Sequence, residues 1–263
     1  VMEAVVLKGG KIRKRVALLK VIVSSITIGS GGSAGREGPI AQIGATIGSI
    51  LGQVFKLDSR DVRLLVVCGL SAGIAGTFNA PLGGALFGME VLYRGIHLLD
   101  AMPVILASVL GATVASVFLG SSPAFKVVGA TTWTPSELPL YILLGAFLGL
   151  LSVLWVRIFY GIEDLFEKIP IPASLKPALG GFAVGVIGMF FLGYGVMGVG
   201  YEGVNMVLAE ELTLLMLLAL GAAKLMATSF TIGSGGSGGV FAPSLYIGSV
   251  SYTHLRAHET EAD

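Results

Sequence analysis

The composition predicts an all-α membrane protein that crosses the bilayer several times, and the short apolar runs and the repeat described below add broken or re-entrant helices and inverted repeats to that prediction. Three observations predict this class: 54% of the 263 residues are apolar, only 13% are charged, and the mean hydropathy is +0.87. Soluble domains carry about 25% charged residues. The composition therefore excludes a disordered chain and a coiled coil. The formal net charge of only +1 excludes a nucleic-acid-binding module, which would carry an excess of basic residues.

Cysteine and histidine are too scarce for a disulfide framework or a metal centre. Cys68 is the single cysteine, and two of the three histidines fall in the last ten residues. A disulfide scaffold or a structural zinc site needs several such residues at defined spacings. We therefore expect neither a metal nor a cofactor.

Nine apolar runs predict the helices, and several are shorter than the roughly 20 residues that a spanning helix needs. They cover residues 16–28, 40–55, 64–78, 82–93, 102–119, 138–166, 179–199, 212–230 and 240–250. Short helices interrupted by glycine and proline indicate backbone that is buried in protein or lines a wet cavity. The small residues at 44–48 are interpreted as a helix-packing surface.

The two ends of the sequence differ from the apolar body. The opening basic residues predict a cytoplasmic anchor under the positive-inside rule, and no signal peptide is visible before them. The sequence opens at Val1 and resembles the middle of a longer one. We predict a transmembrane domain over residues 1–250 and a hydrophilic, non-native tail over 251–263. The basic residues are Lys8, Lys11, Arg13, Lys14, Arg15 and Lys20.

A segment near the start recurs near the end. Residues 25–39 match residues 229–243 at ten of fifteen positions, and the same offset of 204 residues pairs Lys20 with Lys224. This is more than chance agreement of glycines, so we interpret it as a structural repeat. Membrane proteins built from two related halves bind solutes near the midplane between them, and the inverted orientation of the halves is expected from that architecture.

Each copy of the repeat is a Gly/Ser turn followed by Gly-x-x-x-Pro and an apolar helix. Pro39 and Pro243 suit the first turn of a helix, where no N–H is needed for the ladder. Helix N-termini favour anions through their N–H groups and dipole. Two converging helix starts predict an anion site with no full positive charge. The alternative, a phosphate-binding Walker loop, requires Gly-Lys-Ser/Thr, which the sequence lacks.

Glu37 is a carboxylate within an apolar, glycine-rich membrane segment. Such a residue is costly there and points to function. At a helix N-terminus it can occupy the anion site as a tethered anion, and protonation would release it, which predicts a gate sensitive to pH. The alternative is a first-turn glutamate that satisfies local N–H groups beside Arg36. Phe241 holds the equivalent position in the second copy.

Three motifs resemble the CLC family of chloride channels and proton-coupled chloride exchangers. Residues 29–39 resemble its GREGP loop, and residues 78–90 resemble the family's helix that comes after this loop. Residues 238–243 resemble its GxFxP loop. The resemblance covers residues 1–249. It implies a homodimer with one pore per subunit, with Glu37 as the external gating glutamate. It places anion-binding groups, mainly backbone amides, at Gly35, Arg36, Glu37, Gly38, Val240, Phe241 and Ala242, and pore-loop residues at Gly31, Gly32, Ser33, Pro39, Gly235, Gly236, Ser237, Gly239 and Pro243.

The sequence departs from the family pattern in two respects. The family has an earlier Gly-Ser-Gly-Ile-Pro loop and a late tyrosine that contact the anion, and neither is in this sequence, so the resemblance implies only part of the pore. Exchangers of the family usually carry Glu-Glu near residue 90, and the second acid passes protons. Here the pair is Glu90 and Val91, which favours a channel.

Three functional hypotheses follow. The first is a gated anion channel, with chloride as the expected ion and a multi-pass location in the cell membrane. The second is a proton-coupled antiporter of the same fold. The third, an intramembrane enzyme, needs a catalytic pair in the apolar spans, and His97 is the only histidine before the tail. We therefore expect no enzyme, and as partners an anion, membrane lipid and a second copy of the chain.

Overall fold

The computed structural model describes residues 1–93, 98–122, 125, 138–209 and 212–260, except the side chains of residues 93, 98, 99, 214 and 252–260. Within these ranges it has eleven α-helices, a π-helical turn and no strand, which confirms the all-α prediction. The helices are α1 Met2–Leu7, α2 Arg15–Gly29, α3 Glu37–Val54, α4 Ser59–Phe78, α5 Pro81–Gly88, α6 Leu98–Leu119, α7 Leu138–Lys168, α8 Lys176–Phe190, α9 Tyr201–Leu208, α10 Leu214–Gly233 and α11 Phe241–Thr260, with the π-turn at Met89–Tyr93.

Four of the described helices are long and apolar enough to cross a membrane. These spans are Ser59–Phe78, Asp100–Leu119, Leu138–Lys168 and Leu215–Gly233. Two shorter apolar helices, Pro81–Leu92 and Lys176–Phe190, lie between them in the chain. The mixture of full spans and short helices agrees with the prediction of broken helices, because a helix rises only about 1.5 Å per residue.

The chain divides into two compact units. The first comprises Val1–Ser25 and Arg36–Ala124, and the second comprises Ile26–Gly35 and Phe125–Asp263. The turn that precedes α3 therefore belongs to the second unit, although α3 itself belongs to the first.

In the first unit, α3 and α4 pack with their backbones close together. A Cβ at Gly44 would meet the carbonyl of Gly69, and a Cβ at Gly48 would meet that of Leu65. Only glycine permits this approach, which confirms that residues 44–48 form a packing surface. Asp58 caps α4 by accepting the N–H groups of Arg60 and Asp61, both at 2.9 Å.

In the second unit, α7, α8 and α11 pack against α10, and α9 packs against α11. The core includes Val184, Leu217, Leu220 and Tyr246, all nearly or fully inaccessible to solvent. A Phe166–Phe230 ring contact, with centroids 6.3 Å apart, joins α7 to α10. This core holds α10 and α11, the two helices of the second repeat, at its centre.

Two predicted helix ends are wrong, and one short helix between them in the chain is new. The run at 179–199 is helical only to Phe190, because Gly193, Gly195 and Gly198 take positive φ angles that end the helix. The short helix α9, which no apolar run predicted, follows at Tyr201. The last helix extends from Phe241 to Thr260 instead of ending at residue 250. His97 lies outside the described residues.

Candidate functional site

The two copies of the repeat bind each other through reciprocal hydrogen bonds. The N–H of Ser33 donates to Thr231 Oγ1 at 2.9 Å, and the N–H of Ser237 donates to Thr27 Oγ1 at 3.1 Å. The repeat offset carries Ser33 onto Ser237 and Thr27 onto Thr231. Each bond is therefore the counterpart of the other, as a local two-fold relation requires.

A pair of glycines completes this two-fold contact. Gly35 and Gly239 form an isolated antiparallel bridge in which each N–H donates to the other's carbonyl, at 2.7 and 2.8 Å. A Cβ at the neighbouring Gly238 would collide with the side chain of Ala34, so the approach requires small residues. The two segments run antiparallel where they meet, which agrees with inverted repeats.

Each turn has the same internal geometry. Gly31 and Gly235 have φ angles of 98° and 102°, and the next glycine in each copy donates its N–H to the carbonyl of Thr27 or Thr231 at 2.9 Å. Residues with a Cβ rarely adopt such a φ. The Ser-Gly-Gly-Ser sequence is therefore what lets the chain reverse this tightly in both copies.

The helix after the first turn starts at the residue predicted to act as the gate. Glu37 is the first residue of α3 and is 1% exposed, whereas Arg36 before it and Gly38 after it are exposed. The first intrahelical bond runs from the N–H of Ile40 to the carbonyl of Arg36 at 3.0 Å. The N–H groups of residues before Ile40 make no bond within this helix, and Pro39 in the first turn has no N–H group.

The helix after the second turn starts in the same way. Phe241 is the first residue of α11, and the first helical bond runs from the N–H of Ser244 to the carbonyl of Val240 at 2.9 Å. Val240 and Phe241 are 44% and 40% exposed, whereas Ala242 and Pro243 are buried. The second helix start therefore presents an aromatic side chain where the first presents a buried acid.

A buried lysine lies behind the turns. Lys224 on α10 is 0% exposed, and its Nζ donates to the carbonyls of Gly195, Val196 and Gly198 at 2.9, 3.2 and 3.1 Å. A buried ammonium group is costly unless polar groups surround it, and these carbonyls supply that environment. The lysine thereby fixes the glycine loop that follows α8.

Two further bonds tie this loop to the repeated segments. Tyr246 of α11 donates its hydroxyl to the carbonyl of Tyr194 at 2.7 Å, and its ring lies 5.4 Å from Lys224 Nζ. The N–H of Ala34, in the first turn, donates to the carbonyl of Gly198 at 3.2 Å. The loop therefore connects α10 and α11 with the turn that precedes Glu37.

Lys224 belongs to a polar stripe that the repeat contains twice. Lys224, Thr228 and Thr231 are buried on one face of α10, and Thr228 Oγ1 lies 3.1 Å from Ser33 Oγ. In the sequence, Lys224 stands out only as the repeat partner of Lys20, and no role is predicted for it there. A charged residue inside the apolar run 212–230 is the sequence signal that could have indicated a function for Lys224. The equivalent stripe on α2 is Lys20, Ser24 and Thr27.

The family model described as "Voltage gated chloride channel" matches residues 1–253. The chain belongs to the voltage-gated chloride channel family. Members of this family are integral, multi-pass membrane proteins, which confirms the predicted location in a membrane.

Named relatives in this family include both channels and exchangers. The chain is 35% identical to chloride channel protein CLC-e of Arabidopsis thaliana over 247 residues, covering 88% of the chain and 34% of CLC-e. It is 32% identical to the H⁺/Cl⁻ exchange transporter ClcA of Cronobacter sakazakii over 241 residues, covering 90% of the chain and 52% of ClcA. A crystal structure of a slow cyanobacterial Cl⁻/H⁺ antiporter superimposes with a TM-score of 0.85 at 27% identity, covering 95% of the chain and 59% of the antiporter.

The voltage-gated chloride channel fold here encloses a cavity beside the two turns. Its volume is about 270 Å³, and both turns contribute Thr27, Thr231 and glycines to its wall. One face of α8, from Pro177 to Gly185, closes the other side. The larger side chains of Ile26 and Met197 also line the cavity, and its volume leaves room for water next to the hydrogen-bonded turns.

Val91 lies in the π-helical turn that follows α5. It is partly buried and packs against the core of the first unit, whereas the preceding Glu90 is exposed. An apolar side chain suits this packed position, and valine cannot carry a proton. In this member of the voltage-gated chloride channel family, the position therefore has a packing role.

Proposed function

We propose that the whole protein carries chloride, or a similar anion, across a membrane along a path at the N-terminal ends of α3 and α11. The reciprocal hydrogen bonding of the two turns supports this proposal, because each bridging glycine, Gly35 or Gly239, precedes one of these helix starts by two residues. Helix N-termini attract anions without a full charge. Binding of that strength lets the ion leave again, as conduction requires.

In this proposal backbone amides contact the anion and the repeated turns hold them in place. The contacting groups lie at Gly35, Arg36, Glu37, Gly38, Val240, Phe241 and Ala242. The residues that shape the turns are Gly31, Gly32, Ser33, Pro39, Gly235, Gly236, Ser237, Gly239 and Pro243. Membership of the voltage-gated chloride channel family and the anion transport named for its relatives CLC-e and ClcA support the assignment.

Glu37 is proposed as the gate. Its burial at the first residue of α3 suits a carboxylate that competes with the transported anion for the same amides. Protonation removes its charge and lets the anion in. We expect Glu37→Gln to weaken the pH dependence of anion flux and to raise halide occupancy, because a neutral side chain does not compete.

The test is anion flux from vesicles across a pH series, using the full-length protein. Glu90→Gln is the matched control, since Glu90 is an exposed acid that we do not place on the path. It should leave the pH dependence as it is. If Glu37→Gln also responds to pH as the natural protein does, Glu37 is not the gate.

We infer a channel-like mechanism because Val91 stands where exchangers carry a second acid. The alternative is a proton-coupled antiporter, which the similarity to ClcA and to the cyanobacterial antiporter favours. The reversal potential of the anion current, measured across a proton gradient at fixed chloride, separates the two. A channel gives a reversal potential independent of the gradient, and a shift with pH rejects the channel.

We further infer a homodimer in the cell membrane, with one anion path in each subunit. Relatives named as channels and exchange transporters agree with transport rather than with an enzyme. Subunit counting by single-molecule photobleaching of the full-length protein tests the dimer. Two bleaching steps per particle are expected, and single steps at complete labelling would contradict it.

A further inference from the structure

We propose that the segment from Lys11 to Arg15 is a binding surface for anionic phospholipid headgroups of the surrounding bilayer. Four of its five side chains are cationic and exposed, and no acid interrupts them. Lys8, just before the segment, is paired with Glu3 at 2.7 Å. The concentrated charge of the surface is therefore carried by Lys11, Arg13, Lys14 and Arg15.

The segment is held in a defined conformation by α3. The N–H of Ile12 donates to Ser49 Oγ at 2.8 Å, and Ser49 Oγ donates to the carbonyl of Gly10 at 2.6 Å. Gln53 Nε2 donates to the carbonyl of Ile12 at 3.0 Å. Because the backbone is already ordered, a headgroup that binds here does not have to order a flexible loop.

The surface lies beside the start of α2 and the end of α3. Helix α2, with many exposed apolar side chains, starts at Arg15, and α3 ends at Val54, the residue after Gln53. Phe55 follows with 69% exposure. Exposed aromatic and basic side chains next to apolar helices are typical of the headgroup level of a bilayer.

Other charges near the segment do not cancel it. Gly10 packs against the backbone of Arg63, so the segment lies beside the first turn of α4. That turn carries Asp58, which caps the helix, Asp61 and Arg63, and its Arg60 pairs with Asp100 at 3.3 Å. The four cations of the segment therefore remain in excess and favour phosphate-bearing anionic lipid over zwitterionic lipid.

The test measures lipid preference with the full-length protein. The protein is equilibrated with mixed micelles of phosphatidylglycerol and phosphatidylcholine, and the bound lipids are counted by native mass spectrometry. Each basic side chain near an anionic surface contributes about a fivefold gain in affinity. We expect the fourfold variant K11Q/R13Q/K14Q/R15Q to lower the preference for phosphatidylglycerol by at least about tenfold.

The charge-retaining variant K11R/R13K/K14R/R15K is the matched control. It should keep the preference, and KCl at about 1 M should weaken the preference of the natural protein, since this salt concentration reduces the screening length to about 3 Å. The proposal is overturned if the natural protein shows no preference or if the glutamine variant keeps it. A glutamine variant that fails to fold leaves the salt series on the natural protein to decide.

Discussion

Replacing Lys224 by methionine removes the ammonium group that fixes the loop between α8 and α9. Methionine is nearly as long and unbranched, so packing is largely kept while the charge and the donors are lost. Around this fully buried side chain, the carbonyls of Gly195 and Val196 lose their donor, and the carbonyl of Gly198 keeps only the N–H of Ala34. The loop should loosen, and with it the contact between Gly198 and the first turn.

The size of the effect follows from these three bonds. A hydrogen bond to a charged group contributes about 1.5–3 kcal/mol, but three bonds that share one ammonium are not independent. A buried carbonyl left without a donor costs about 1–3 kcal/mol, so the two carbonyls left bare and the bond lost at the third should together lower the free energy of unfolding by about 3–5 kcal/mol. At about 2–4 °C per kcal/mol for a chain of this size, the melting temperature should fall by about 6–20 °C.

The assay is thermal unfolding of the full-length protein in detergent, with anion flux measured on the same preparations. Lys20→Met is the matched control, because Lys20 is the repeat counterpart of Lys224 but is only partly buried. Its melting temperature should fall by less than half as much. If Lys224→Met shifts the melting temperature by less than about 2 °C, the three contacts do not stabilise the loop as we argue.

Two further predictions concern the same region. Tyr246→Phe removes the hydroxyl that donates to Tyr194 and should cost about 1 kcal/mol in the same unfolding assay; no loss would show that this bond is not stabilising. Gly31→Ala and Gly235→Ala each force a Cβ into a positive φ and should cost about 1–3 kcal/mol, by equal amounts because the turns are equivalent. Gly145→Ala, where a Cβ meets open space, is the control, and clearly unequal losses in the two turns would contradict the equivalence.

The paired turns could be predicted because the contacting residues are themselves repeated in the sequence. Thr27, Ser33 and Gly35 recur as Thr231, Ser237 and Gly239, so identical side chains make identical bonds in the two copies. The position of Glu37 also followed from the sequence, since a proline two residues later marks the first turn of a helix. Its burial at the start of α3 agrees with that expectation.

The loop after α8 could not be predicted in the same way. Hydropathy continued through residues 191–199 because phenylalanine, leucine, valine and methionine alternate there with glycines. The positive φ angles of this loop direct its backbone carbonyls inward. This conformation is favourable only when hydrogen-bond donors lie next to those carbonyls. Those donors are on Lys224, almost thirty positions away in the chain, and on Ala34, far earlier still. Local pattern carries no information on such distant pairs.

The reciprocal bonds between the turns have a consequence for how the protein is made. Ser33 is synthesised about two hundred positions before Thr231, so its N–H has no native acceptor while most of the polypeptide is being translated. A bare peptide group is strongly disfavoured in hydrocarbon. The first turn must therefore stay hydrated, or be covered by other proteins, until α10 has been made. Variants in which α10 folds late should be degraded before the folded protein is present in the membrane.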